Sequence, residues 1–513
     1  WLKSGLWQCC VMSNEVPGIL AKALGQPCAA APQWRSTWLL AVPRQTAPPT
    51  GRLRLNVFGF LAPFMVAPSS RLSRRSRQRA RERVGGGRGK AGQAAGKKRW
   101  KNKDQTAANS SESQEIRNWP EALDKAHMTA MEEVTASLSG RVPGFLLLAG
   151  QVPWDGSARR QLYYHEEGLA DIESRQPIRR DTIFRLFSLS KPIVAASILP
   201  LIDSGKVTLL EPISTWLPEF HVSKMKVKRN GKLVEALWPI RLLDVLRHTS
   251  GMFYPDNPAN GTPGVQDKEL CQCFMDSEVR QSPSTEEFCR RLATVPLCHE
   301  SGDKFTYSVA TGILARIVEV VTGQPYDEYL DATLLKPLGM KDTGFYLRDD
   351  DQRRRLANLY ATANYGSAEF AEAQRKVFTY ERGSAVNSDG GLFASVDDYA
   401  TFVEFLLSDG RGLVRPPLLK AFLRDQLAPD VPAVPASFMG FEAGFGLGTY
   451  VHKARVHGWS GLANTHFCFD SVTGRFAILM AQLFPFRWEN QALLSDWLRS
   501  QVSQADQATR AND

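Results

Sequence analysis

No stretch of this sequence reaches the length of a membrane-spanning helix. The longest apolar run in its first part, Val57 to Ala67, is short and interrupted by Pro63. No membrane span is therefore expected, and the body of the chain should be soluble. Cysteine is sparse as well: the eight fall at positions 9, 10, 28, 271, 273, 289, 298 and 468 without a regular spacing, which excludes a disulfide scaffold. Cys271 and Cys273 have no second Cys or His pair at zinc spacing, so no structural metal is expected. Acidic residues are missing in one place only. Residues 71 to 103 hold fourteen Lys or Arg against one acid, and this tract alone more than accounts for the formal charge of +10. The rest of the chain nets about −3, which argues against a generally nucleic-acid-binding body.

What is present divides the 513 residues into three. Residues 1–115 lack sustained periodicity and carry too few apolar side chains around the basic tract to fold, so they read as a disordered basic leader. The leader's arginines, serines and scarcity of acids resemble an organelle transit peptide; a cytoplasmic protein with a flexible nucleic-acid-binding tail is the competing reading. Base stacking would use interleaved aromatics, and the basic run has only Trp100. Residues 116–505 have the patterning of a folded domain, and 506–513 read as a polar tail.

Within the domain the pattern predicts a helix after Trp119 with Leu123, Met128, Met131 and Val134 on its apolar face. Two strands follow, VPGFLLLAGQ and RQLYYHEEGLAD, joined at PWDGS. The run from Pro239, PIRLLDVLRHTSGM, reads as a second apolar-striped helix closed by Gly251, and 253–297 as a polar region without clear pattern, a candidate lid. A buried helix over Ser308 to Gly323 comes next, then a helix behind a capping box of Ser395 and Asp398. From Phe445 the pattern turns to strands (FGLGTYVH, THFCFD, RFAILMAQLF) before a last helix near Trp488 to Val502. Strands at both ends with helices between them predict an α+β fold: one antiparallel sheet closed by distant segments, flanked by helices, with an all-helical insertion.

The stretch TIFRLFSLSKPIVAASILPLIDSGK, Thr182 to Lys206, is an apolar strand running into an apolar helix, with Ser188 at the junction and Lys191 three residues on. Residues three apart share a helix face, so the ammonium would lie beside the hydroxyl. Pro192 costs nothing in a first turn, which puts the helix start near Ser188, and Pro200 predicts a kink before Gly205 ends it. A Ser with Lys three residues on arises by composition roughly once or twice in a chain of this length. Ser223 with Lys226 and Ser301 with Lys304 are such pairs, but both lie in polar turns. Only Ser188 has the buried strand-to-helix setting that a water-excluded nucleophile needs.

Three ordered motifs, Ser188-Leu189-Ser190-Lys191, Tyr307-Ser308-Val309 and Trp459-Ser460-Gly461, resemble those of the serine β-lactamase-like superfamily. That superfamily comprises penicillin-recognising acyl enzymes (class C β-lactamases and penicillin-binding-protein-like hydrolases) and their esterase relatives. LRHTSGM (246–252), LKPLGMKDTGFY and GGLFASVDDYATF are similar too. The resemblance implies that Ser188 is acylated, that Lys191 and Tyr307 share the proton transfers, and that the backbone N–H groups of Ser188 and Leu462 form the oxyanion hole. It also implies that Trp459, Ser460 and Gly461 line the substrate. A small-molecule ester or acyl compound would be the substrate, with no metal or organic cofactor.

Two departures bear on substrate. Val309 stands where penicillin-recognising relatives carry asparagine, and Trp459 where they carry lysine or histidine. An indole cannot attract a substrate carboxylate, so the expectation is a neutral, apolar acyl group and the esterase branch, ahead of a β-lactamase, a D-amino-acid peptidase or a catalytically idle scaffold. His457 reads as structural. Ser460 is not the nucleophile of a G-x-S-x-G elbow, because position 462 is leucine.

Overall fold

The computed structural model describes residues 121–256, 264–362, 371–372 and 386–486, with 492 and 494–498 of the last helix. The basic leader, the polar tail and the outer parts of the last helix lie outside the described residues.

Helix α1 (Glu121–Leu138) buries Met131, Val134 and Leu138, whereas Met128, expected on the same face, is 45% exposed. The C-terminal half of the helix is tied to the sheet where Thr135 bonds Tyr163, and Ser139, just past its end, bonds Glu167. Strands β1 (Gly144–Gln151) and β2 (Arg160–Asp171) then pair antiparallel as the alternation predicts, and β3 (Gln176–Pro177) adds an edge.

The Thr182–Lys206 stretch gives one turn of 3₁₀ helix, Phe187–Leu189, then α2 (Ser190–Ser197). The axis breaks at Ile198, and α3 (Leu199–Asp203) carries Pro200 in its first turn, where the missing N–H costs nothing. Gly205, at φ +71°, closes it.

The second apolar helix is much shorter than its stripe. Helix α4 covers only Leu242–Leu246, and His248 adopts φ +57°, which ends helical hydrogen bonding three residues before Gly251. The stretch without pattern is also more regular than expected. It contains α5 (Lys268–Asp276), capped by Asp267, and α6 (Thr285–Leu292), capped by Ser284.

Helix α7 (Gly312–Thr322) is buried on its inner face and ends at Gly323 with φ +72°. In α8 (Val396–Leu407) Ser395 caps the Asp398 N–H, but the reciprocal half of the capping box is absent. The Asp398 carboxylate turns away to accept from the Asp342 N–H and the Thr343 hydroxyl, at 2.7 and 2.9 Å.

The C-terminal strands are β4 (Gly444–Phe445), β5 (Tyr450–His452), β6 (Val456–Gly461), β7 (Thr465–Asp470) and β8 (Arg475–Ala481). All join one eight-stranded antiparallel sheet in the order β4-β5-β6-β7-β8-β1-β2-β3. The chain's two ends therefore meet along β1 and β8, in a register from Phe145 opposite Ala481 to Gln151 opposite Arg475. Both strands are buried nearly throughout because helices cover both sheet faces. On β7, Phe467 packs against Tyr399 of α8, while His466 and Cys468, which point the other way, meet Ser495 and Leu494 of the last helix. The site lies on the α8 side of this sheet.

Candidate active site

Ser188 is half-buried at the head of α2, directly after a left-handed Phe187 with φ +51°. For a bulky residue that conformation costs about 1–2 kcal/mol. Burial of the ring offsets it: Phe187 packs edge-on against Phe484 at 5.4 Å and joins Leu359, Leu462 and Ala463 in a small apolar cluster. The turn is fixed on two further sides. Thr465 of β7 donates to the Leu186 carbonyl at 3.0 Å, and the Leu186 N–H donates to the Leu392 carbonyl, just before a short strand, Phe393–Ala394, that pairs antiparallel with Phe184–Arg185. Gly461 is required by this approach, since a Cβ there would lie 2.1 Å from the Leu186 carbonyl oxygen. The third motif is thus pressed against the backbone two residues before Ser188.

Lys191 is 2% exposed, and its Nζ has three neighbours: Ser188 Oγ at 3.2 Å, the Tyr254 hydroxyl at 3.1 Å and the Asp389 carbonyl oxygen at 2.5 Å. The hydroxyl of Tyr307 is not among them. Instead Nζ sits over the Tyr307 ring, 5.0 Å from its centre, and the Tyr307 oxygen is buried without a partner among the described residues. Tyr254 donates to Asp389 Oδ2 at 2.5 Å, and Arg280 donates to the same oxygen at 2.7 Å while lying over the Tyr254 ring. Burial works to raise the Asp389 pKa, but Arg280, then Lys191 and the Tyr254 hydroxyl outweigh it and hold this carboxylate below its usual range. Burial first, and Asp389 second, push the Tyr254 phenol well above its usual pKa. Tyr254 is therefore a neutral donor, and Asp389 an ionised acceptor.

Around these groups stands an aromatic wall. Tyr307 packs on Tyr254 at 5.1 Å, on Trp459 at 5.2 Å and on Phe438 at 5.5 Å. His248 lies behind it, bonded to Ser308 Oγ at 3.0 Å; burial and then Lys191 drive its pKa down to about 3, so it is a neutral support. This explains the LRHTSGM stretch: the left-handed His248 closes α4 and braces the second motif. Trp459 is 4% exposed and its indole N–H has no partner among the described residues.

Ser188, Lys191, Tyr307, Trp459 and Gly461 thus lie in one region of the fold. Ser460 differs in its side chain. It alternates to the opposite face of β6 from Trp459, where its hydroxyl meets His466 Nδ1 at 2.8 Å in a buried chain continuing to Ser495 and Tyr450. His457 turns to Ser471 at 3.2 Å and stacks on Phe469, consistent with a structural histidine. Tyr254, Arg280 and Asp389 were not singled out from the sequence. Among the described residues no group of His, Cys, Asp and Glu could hold a metal ion, and no helix is long and apolar enough to cross a membrane.

A mixed fold of this kind, one antiparallel sheet flanked by helices, is the β-lactamase and transpeptidase architecture. The chain belongs to the β-lactamase family, whose family model matches residues 149–495. It is 33% identical over 267 residues to protein Rv1367c of Mycobacterium tuberculosis, a match covering 52% of this chain and 63% of that protein's length. It is 29% identical over 346 residues to esterase EstB of Burkholderia gladioli, covering 62% of this chain and 82% of that one. Among solved structures it is similar to EstCE1, a hydrolase with promiscuous acyltransferase activity, with a TM-score of 0.59 at 22% identity, over 73% of this chain and 99% of that one. Simvastatin synthase LovD from Aspergillus terreus is similar with a TM-score of 0.58 at 22% identity, over 74% and 96% of the two chains.

Proposed function

We propose that the protein hydrolyses carboxylic esters of small molecules through an acyl-enzyme on Ser188. The observation that carries this reading is the pairing of a half-buried Ser188 hydroxyl with a sealed Lys191 amine 3.2 Å away. A base must reach the proton it takes, and Lys191 Nζ lies within hydrogen-bond distance of the Ser188 hydroxyl. In acylation the Ser188 O–H bond breaks, its proton passes to Lys191 Nζ, and Oγ bonds to the substrate carbonyl carbon. The carbonyl electrons move onto oxygen, which the backbone N–H groups of Ser188 and Leu462 would receive. Collapse breaks the bond to the alkoxy oxygen. The departing alkoxide takes a proton from the Tyr307 hydroxyl, which regains one from Lys191 through a bridging water, since the two groups are not in direct contact. Water then repeats the sequence in reverse order of groups, releasing the acid and restoring Ser188.

The unpartnered Tyr307 hydroxyl supports its role as the group facing the leaving oxygen. Trp459, Phe438 and Val309 support an uncharged, apolar acyl part, and the similarity to esterase EstB supports an ester as substrate class. The test is mass spectrometry of the protein after a fluorophosphonate probe, with hydrolysis of short p-nitrophenyl esters and of nitrocefin measured alongside. A single adduct on Ser188 with ester turnover and little nitrocefin hydrolysis is the expected result. Rapid nitrocefin hydrolysis would replace the ester reading with a β-lactamase one, and a folded protein without adduct would replace it with a non-catalytic one.

A further inference from the structure

The hydrogen bonds around Lys191 have a direction, and Asp389 sets it. An ionised carboxylate only accepts, so the single Tyr254 proton must lie on Asp389 Oδ2. The Tyr254 oxygen then has only lone pairs to offer Lys191, and the Asp389 carbonyl, 2.5 Å from Nζ, likewise only accepts. Two N–H bonds of Lys191 are thereby committed. The remaining direction on nitrogen faces Ser188 Oγ, where an unprotonated amine carries its lone pair.

We propose that Asp389 is a positioning residue that fixes the polarity of the Tyr254–Lys191 hydrogen bond and so keeps the Lys191 lone pair on the Ser188 hydroxyl. Arg280 has its part in the same device, since its bond to Oδ2 at 2.7 Å keeps an otherwise enclosed carboxylate charged. The side chain of Arg280 is 44% exposed and that of Asp389 2% exposed, so the charge of the pair is anchored from the surface inward. The inference rests on the ester-hydrolase reading and adds to it two groups outside all three motifs.

The substitution that tests polarity is Asp389→Ala, because an asparagine would place its carbonyl oxygen where Arg280 and Tyr254 both donate and so would keep the direction of the bond. Alanine removes that acceptor and frees the Tyr254 proton to bond the lysine lone pair in competition with Ser188. The expected loss is about 10²-fold in kcat for p-nitrophenyl butyrate, with KM little changed. Tyr254→Phe removes the competing proton altogether, so alone it should cost no more than about 10-fold. In the Asp389→Ala background Tyr254→Phe should restore at least about 10-fold of the lost rate, a gain that a merely structural role cannot produce. A double variant no faster than Asp389→Ala overturns the proposal. If Asp389→Ala does not fold, judged by its melting curve, Tyr254→Phe still decides: a loss far beyond 10-fold makes the phenol an obligatory proton carrier and overturns it. Ser188→Ala, measured in parallel, keeps the two readings apart, since full turnover in that variant would remove the ester-hydrolase reading itself.

Discussion

The two walls of the site are built on opposite rules. On the Lys191 side the polar groups interlock: the lysine bonds Ser188, Tyr254 and Asp389, and Asp389 in turn holds Tyr254 and Arg280. On the Trp459 side two buried polar atoms, the Tyr307 hydroxyl and the Trp459 indole N–H, have no partner among the described residues. A buried polar group left unpaired costs about 1–3 kcal/mol, and a ligand that supplies the missing bond recovers it. On the proposed function, the saturated wall holds the machinery in one geometry, and the unsaturated wall is where a substrate completes the structure.

That contrast breaks most sharply at the proposed nucleophile and its proposed base. Ser188→Ala and Lys191→Ala should each lower kcat/KM for p-nitrophenyl butyrate by at least about 10³-fold. The double variant should be little worse, because nucleophile and base act as a unit. Additive losses in steady-state kinetics would separate the two.

The two tyrosines sharpen the comparison next. Tyr307→Phe should lower kcat by about 10²-fold, since it removes the proton donor to the leaving group. Yet it deletes an unpaired buried hydroxyl, so its melting temperature should be unchanged or higher. Tyr254→Phe should do the reverse: a smaller kinetic loss, with stability lowered by about 1–2 kcal/mol in urea titration, because both Asp389 and Lys191 lose a partner. Equal stability losses in the two variants would show that the Tyr307 hydroxyl is satisfied in solution.

The residues legible in the sequence are those whose chemistry is local. Ser188 and Lys191 are one helical turn apart, and an apolar strand and helix around them mark a buried junction. The antiparallel closure of the sheet was readable for the same reason, as strand patterning at both ends of one domain. Tyr254 and Asp389 reach Lys191 across 63 and 198 residues, and no periodicity encodes such a meeting. Asp389 stands one residue before the GGLFASVDDYATF stretch, which is similar to the superfamily, so its neighbours carried a signal that it did not. Arg280 lies between two short capped helices in a region that looked patternless because each holds barely two turns. The α4 stripe misled for a different reason: the pattern continues through Arg247, but the left-handed His248 is demanded by the second motif behind it.

The smallest expected effect concerns the indole. If the Trp459 N–H is unpaired in the free protein, a substrate with an acceptor in its acyl chain can bond it, and a plain alkyl chain cannot. Wild-type protein should therefore favour a p-nitrophenyl methoxyacetate over the butyrate, after correction for their intrinsic reactivities toward hydroxide. Trp459→Phe keeps an aromatic face toward Tyr307 and removes only that donor along with ring volume. The corrected preference should fall by about 3- to 10-fold, the worth of one neutral hydrogen bond, mainly through KM. A preference unchanged in Trp459→Phe would mean that the indole serves as apolar wall alone, and would leave Tyr307 as the polar contact on that side of the site.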